Sequence, residues 1–394
     1  MSHTERIRDK KIDRSYFCRH TIFFKKIFVD IKNLSYLCPN NERDKSILFK
    51  LNYDQMKKTV LDFLIIAAFV ISAVFMSCDN FHNEDVIILK LGSLQKILDG
   101  YVIRTIDFDS KGNAWIGTSK QDVICYNAGK TVIYHAGNSI IPEDFVTYDI
   151  AIDKNDNVWI GGSGGLLKFD GKEFILYDTQ NTPMPVDYVK AIEVDSKNNV
   201  WFASCNISQG GIVKYDGHEW TVFTPDNSVL PFYLIENMTI DQMDNVWLAC
   251  YSCLVKISND KMRVYDEKDL GFSPYKISDI QFDSKNHLWG VIDYSMSSVI
   301  NLDAPHFFIF DSEKTSFLSC DNNNTFMMPQ ITIDHNDFVW CYGFISAYGV
   351  WINKHWTKID FSEFGEIRSI WAIKEAPDHK IWFGTEDGIY IKKE

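Results

Sequence analysis

Asp153-Lys-Asn-Asp-Asn-Val-Trp-Ile-Gly-Gly162 is one of seven copies of a single pattern, and that pattern decides how the chain reads. Written loosely it is an Asp, four turn-forming residues, an aliphatic residue, a Trp and a short strand. The Trp copies are Trp115, Trp159, Trp201, Trp247, Trp289, Trp340 and Trp382, spaced by 44, 42, 46, 42, 51 and 42 residues. A period of about 40–50 residues built from strand-like units is the mark of a β-propeller. The expected fold is all-β: a seven-bladed β-propeller of four-stranded blades.

One unit shows how each blade is built. Asp149-Ile-Ala-Ile-Asp153 reads as a first strand, and Lys154-Asn-Asp-Asn157 as a tight turn in which Asn and Asp tolerate left-handed backbone. Val158-Trp-Ile-Gly161 is the second strand, and Gly164-Gly165 turns the chain into Leu166-Leu-Lys-Phe169. An Asp170-Gly171 hairpin turn then leads to Phe174-Ile-Leu-Tyr177, the outermost strand. The six repeated Asp residues (109, 153, 195, 241, 283 and 334) are expected to cap turns, and the seven Trp to pack between blades.

The seventh unit holds three strands, in Ile373-Lys-Glu, Lys380-Ile-Trp-Phe-Gly-Thr385 and Gly388-Ile-Tyr-Ile391. No outer strand follows before Glu394, while Val86-Ile-Ile-Leu-Lys90 precedes the first unit as an orphan. The expectation is a ring closed by an N-terminal strand completing the last blade, with Val86–Leu89 as that strand. Closure of this kind removes two unpaired sheet edges.

The domain plan follows as residues 86–394 for the propeller, 78–85 for a linker, 56–77 for a lipoprotein-type signal peptide and 1–55 for an extension without a domain pattern. Met56-Lys-Lys precedes an apolar run, Phe63 to Met76, of 14 residues, short for a bilayer span but suited to a signal-peptide core. Ser77-Cys78 then resembles a lipobox, with Cys78 as the lipidated residue and Phe75 departing from the usual aliphatic. Translation is expected to start at Met56, leaving residues 1–55 as an annotation artefact. The implied location is exported and membrane-anchored through lipid alone.

Charge supports that reading. Residues 1–55 carry 12 Lys/Arg against 7 Asp/Glu and residues 56–77 add one positive charge, so the part from 78 onward holds −19 of the net −13. So acidic a body repels nucleic acid and anionic membrane surfaces. The cysteines of the repeats, Cys125, Cys205, Cys250, Cys253, Cys320 and Cys341, recur at no fixed position and read as buried thiols rather than a disulfide framework.

The repeat resembles the two-component regulator propeller family, whose motif reads like Asp-x-x-Gly-Asn-x-Trp-Ile-Gly-Thr. Asp109-Ser-Lys-Gly-Asn-Ala-Trp-Ile-Gly-Thr118 matches it nearly in full, 153–162 and 195–204 closely, and 283–290 and 334–342 loosely; the seventh copy has Ala376 in place of the Asp. The resemblance covers residues 86–394 and implies a sensor-type propeller of the periplasm, often tied to polysaccharides. No kinase pattern is read in these residues, so phosphotransfer is not part of what is expected of them.

Ligand sites on propellers usually lie where loops enter the innermost strands. Counting back eleven residues from each Trp gives Arg104, Tyr148, Lys190, Glu236, Ser278, Pro329 and Trp371, which vary while the frame stays constant. Arg, Lys, Tyr and Trp suit sugar or carboxylate contacts. Arg104, Tyr148, Lys190, Glu236 and Trp371 are therefore the candidate ligand-binding residues. Loops at 206–210, 293–298 and 344–348, with Tyr251, Tyr294, Phe344 and Tyr348, are expected to rim the same mouth. No catalytic constellation, cofactor motif or metal-spaced histidine pair is legible; His287, His335 and His379 fall in the repeated turn, away from that mouth. The leading expectation is a ligand-binding or sensory-accessory protein taking a glycan or small molecule. The alternatives are a protein–protein scaffold in the envelope and a lyase or hydrolase, similar in fold to streptogramin-cleaving lyases, which need histidine and a divalent metal at the mouth.

Overall fold

The repeated Asp is the hub of a small hydrogen-bond network. Asp153 Oδ1 accepts the backbone N–H groups of Asn155 and Asn157 at 2.8 and 3.0 Å. Its Oδ2 accepts the Asn157 side-chain amide at 2.7 Å and the Trp159 indole N–H at 3.1 Å. The same indole-to-carboxylate bond recurs at Asp109, Asp195, Asp241, Asp283 and Asp334, between 2.9 and 3.2 Å. One carboxylate thus closes the turn and sets the Trp rotamer. Three residues before each Trp the backbone is left-handed, with Gly112 at φ 77°, Asp156 at 59°, Asn198 at 69° and His379 at 63°. That explains the Gly, Asn and Asp found at most copies of this position.

These turns join the first two strands of antiparallel blades. The structure, a computed structural model, describes residues 88–91, 93–272, 276–293, 307–311, 314–318, 327–344, 349–352, 355–360, 367 and 369–392. The expected extension, signal peptide, Cys78 and linker lie outside them. The chain opens with β1 (Ile88–Lys90) and β2 (Leu94–Ile97), followed by blade one: β3 (Ile103–Phe108), β4 (Ala114–Thr118), β5 (Val123–Asn127) and β6 (Lys130–Tyr134). Five further blades repeat this order of strands from Thr147 to Asp360, and blade seven holds Ile370–Glu375, Ile381–Thr385 and Gly388–Lys392. The fold is a seven-bladed β-propeller of four-stranded antiparallel sheets, and its helical content among the described residues is slight.

Among the described residues the core forms seven clusters, each shared by neighbouring blades. Trp115 of blade one packs with Ile150, Val158 and Phe169 of blade two. At the closing seam Trp382 of blade seven packs with Ile106, Ile116 and Phe108 of blade one, its ring 5.1 Å from that of Phe108. In blades one, two and seven the residue two beyond the Trp is Gly, and there it lets the next blade approach. A Cβ on Gly117 would lie 2.4 Å from Thr147 Cγ2, and one on Gly161 would lie 2.7 Å from Val189 Cγ1. The motif therefore encodes a turn and a wedge, and in these three blades a gap as well.

The ring closes by a different strand from the one expected. β2, Leu94–Ile97, pairs antiparallel with Gly388–Lys392 and completes blade seven. β1 pairs parallel with His355–Asp360 and adds a fifth strand at the outer edge of blade six. The expectation of Val86–Leu89 rested on its distance before Asp109, which is close to the distance of Phe174–Tyr177 before Asp195. Blade seven uses a shorter connection: residues 98–102 separate β2 from β3, whereas residues 178–188 separate the equivalent strands of blades two and three. Leu94-Gln-Lys-Ile97 also has a weak apolar pattern that hides it beside Ile87-Ile-Leu89.

Candidate functional site

A one-residue bulge in each innermost strand builds the axial mouth. The register with the second strand slips between Ile103 and Thr105, Thr147 and Asp149, Val189 and Ala191, Ile235 and Asn237, Ile277 and Asp279, and Ile370 and Ala372. The residues skipped are Arg104, Tyr148, Lys190, Glu236, Ser278 and Trp371. A bulge re-aims the side chain it carries, and all six line one cavity of about 540 Å³ on the propeller axis. Pro329 falls in the corresponding slip of blade six, between Met327 and Gln330, where a residue without an N–H is tolerated. The count of eleven back from each Trp finds the bulge because both belong to the same register.

The mouth has two unlike halves. On one side the Arg104 guanidinium lies between the rings of Tyr148 and Trp371, 5.7 and 5.6 Å from their centroids. Tyr148 in turn packs on Tyr188 at 4.7 Å. This is a cationic group held by aromatic faces, which fixes its position while leaving donors for a ligand. On the other side Lys190 Nζ lies 2.6 Å from Glu236 Oε2, and Lys276 Nζ lies 3.3 Å from the same oxygen and 3.4 Å from Asp293 Oδ2. Burial works against the charge on Lys276, but Glu236 and Asp293 outweigh it and raise its pKa.

Sequence reasoning missed Tyr188 and Lys276. Both stand thirteen residues before their Trp, two ahead of the bulge, so the same register would have found them. Of the expected rim, Tyr251 sits in the hairpin turn between Val246–Cys250 and Cys253–Ser258, at this end of blade four. The 206–210 turn links the second and third strands of blade three. Residues 294–298 and 345–348, Tyr294 and Tyr348 among them, lie outside the described residues.

Below the mouth the cavity becomes a charged shaft. Asp149 Oδ2 accepts the N–H of Ile192 in the next blade at 2.8 Å, and Asp279 Oδ2 does the same for Ile331. Burial pushes both carboxyls up to about 7, although these backbone donors pull the other way. Glu193 is pushed up to about 8, by burial first and then by the negative charge of Asp149. Lys374 Nζ pairs with Asp107 Oδ1 at 2.8 Å across the blade-seven to blade-one seam, and Asp107 is the main cause of its raised pKa. The shaft therefore holds carboxyls that titrate near neutrality beside one fixed cation. Among the described residues no histidine lines this cavity.

On the opposite face the fold joins three residues that the sequence reading kept apart. His335 and His379 both place Nδ1 against Glu375 Oε1, the latter at 2.6 Å, and their rings lie 4.0 Å apart.

No family model and no curated protein matches the chain. Solved structures do. The extracellular domain of the one-component system BT4673 from B. thetaiotaomicron superposes with TM-score 0.60 at 17% identity, over 77% of this chain and 40% of that one. The extracellular domain of the hybrid two-component system BT3049 from B. thetaiotaomicron gives 0.61 at 16%, over 76% and 41%. A catalytically inactive virginiamycin B lyase from Staphylococcus aureus with quinupristin gives 0.60 at 15%, over 77% and 99%. The chain spans about 40% of the length of those extracellular domains. Among the described residues no helix is long and apolar enough to cross a membrane. The chain is a seven-bladed propeller sharing its fold with the extracellular domains of two-component systems, the fold that its resemblance to the two-component regulator propeller family implied.

Proposed function

We propose that this propeller is an exported ligand-binding or sensory-accessory protein whose axial mouth takes a saccharide bearing a carboxylate. The carrying observation is Arg104 clamped between Tyr148 and Trp371 at the head of a 540 Å³ cavity. Aromatic faces stack on the apolar faces of sugar rings, and a guanidinium takes a carboxylate with two donors. Glycan as the class rests on the resemblance to polysaccharide-linked propellers. Export and lipid anchoring at Cys78 rest on the apolar run that precedes it and agree with the extracellular setting of the structural neighbours.

The lyase alternative is disfavoured by the absence of histidine from the described lining of the mouth. Thermal-shift screening against neutral and uronic-acid oligosaccharides tests the proposal, with Arg104→Ala and Trp371→Ala as controls. A shift by uronic-acid oligosaccharides that both variants lose supports it. No shift with any saccharide would favour an envelope scaffold, and turnover abolished by a chelator would favour an enzyme.

A further inference from the structure

The lower face of the propeller is stitched by a rule that holds at five of its seven junctions; at the seam of blades seven and one the paired positions are Pro377, which has no N–H, and Gly112, which has no side chain to cap it. In five successive junctions the residue three before the Trp of one blade caps a backbone N–H five before the Trp of the preceding blade. Asp156 Oδ1 accepts from Ser110 N at 2.9 Å, Asn198 from Lys154 at 2.9 Å, Asp244 from Ser196 at 2.8 Å, Asn286 from Gln242 at 3.2 Å and Asp337 from Ser284 at 2.9 Å. Between blades six and seven the capping position is His379, in left-handed backbone, and the N–H to be capped belongs to His335. Glu375 Oε2 takes that N–H instead, at 2.8 Å.

Glu375 is itself a departure. Seven residues before the Trp, the other six blades carry Phe108, Ile152, Val194, Ile240, Phe282 and Ile333, all apolar. An Asp or Asn at 379 would have satisfied the junction alone, as it does five times elsewhere. The chain instead places two imidazoles and a carboxylate there, with Glu375 and His379 departing from the residue types the other blades carry at those positions and His335 falling at a position that varies from blade to blade.

We infer that His335, Glu375 and His379 form a site for a divalent transition-metal ion bridging blades six and seven. Their ligand atoms all lie within 4.8 Å of one another, and a tetrahedral ion bonded at about 2.0–2.1 Å to nitrogen and oxygen separates its ligands by roughly 3.3 Å. Small side-chain rotations close that difference. Glu375 is anchored through Oε2 to the His335 backbone, which leaves Oε1 facing both rings; its side chain is 16% exposed, against 45% for His335 and 63% for His379. Two imidazoles and one carboxylate select zinc, nickel, cobalt or copper over calcium and magnesium, which prefer all-oxygen sites. The fourth position opens to solvent and would hold water.

Titrating the EDTA-treated full chain with zinc chloride, and with cobalt as an optical probe, tests this. The expected result is one equivalent bound, a rise of a few degrees in Tm, and a cobalt spectrum of nitrogen and oxygen ligands. His379→Asn should restore the stitch seen at Asn198 and Asn286, leave the metal-free Tm unchanged, and weaken zinc binding by more than about 100-fold. His335→Ser, matching Ser110, Ser196 and Ser284, gives an independent loss should the first variant fold poorly. Wild-type protein with no Tm response to zinc, variants that bind zinc as tightly as wild type, or a thiolate-type cobalt spectrum would each overturn the inference.

Discussion

Asp153 accepts the indole N–H of Trp159 at 3.1 Å from within a buried turn, and the same oxygen holds the Asn157 amide at 2.7 Å. The carboxylate is 5% exposed and the Trp 2% exposed. Removing it strands several donors away from water. Asp153→Ala should cost on the order of 3 kcal/mol, and Trp159→Phe about 2 kcal/mol, since it leaves a cavity and an underused carboxylate. Urea unfolding of the two variants and the double variant measures this. A double-variant loss well below the sum of the two singles is expected, because the pair acts as one unit.

The closing strand gives a sharper contrast. Replacing Leu94–Ile97 with Gly and Ser should cost on the order of 4 kcal/mol, because blade seven then loses its outer strand and the Lys96–Asp387 ion pair at 2.5 Å. The same exchange at Ile88–Lys90 should cost about 1 kcal/mol or less, because only an added edge strand is lost. Equal losses from denaturant midpoints would contradict the closure described above.

How much of this was readable beforehand follows from the register. The Trp period carried the blade count, the Asp turn and the bulge position, because one antiparallel register links all three. Arg104, Tyr148 and Trp371 were therefore reached by counting. β2 was not, since its connection to β3 departs from the other blades and its pattern, Leu94-Gln-Lys-Ile97, is only apolar at the ends. The His335–Glu375–His379 cluster escaped for a related reason. Its members occupy three different repeat positions in two blades, so spacing along the chain does not reveal it.

Stability should depend on pH with a definite sign. Asp149, Asp279 and Glu193 have folded pKa values raised to about 7, 7 and 8. The native state thus binds more protons than the unfolded chain above about pH 4, and stability falls as pH rises through that interval. Asp156, Asp244 and Asp337 have lowered values, held mainly by the Ser110, Ser196 and Ser284 donors, so their contribution is lost only below the ordinary value of 3.8. Tm should peak near pH 5 and decline toward pH 8. Glu193→Gln, which introduces the residue blade five carries at Gln281, should raise Tm at pH 8 by on the order of 2 °C and leave it unchanged at pH 5. Calorimetric scans at the two pH values check both statements.

The central claim concerns Arg104 between its two aromatic rings, and isothermal titration of the full chain with the uronic-acid oligosaccharide giving the largest thermal shift tests it most directly. Saturable binding should weaken at least tenfold in Arg104→Ala and in Trp371→Ala, while Lys168→Ala, on the third strand of blade two, leaves affinity unchanged. Binding that survives both mouth substitutions, or no binding by the wild-type chain, would contradict it.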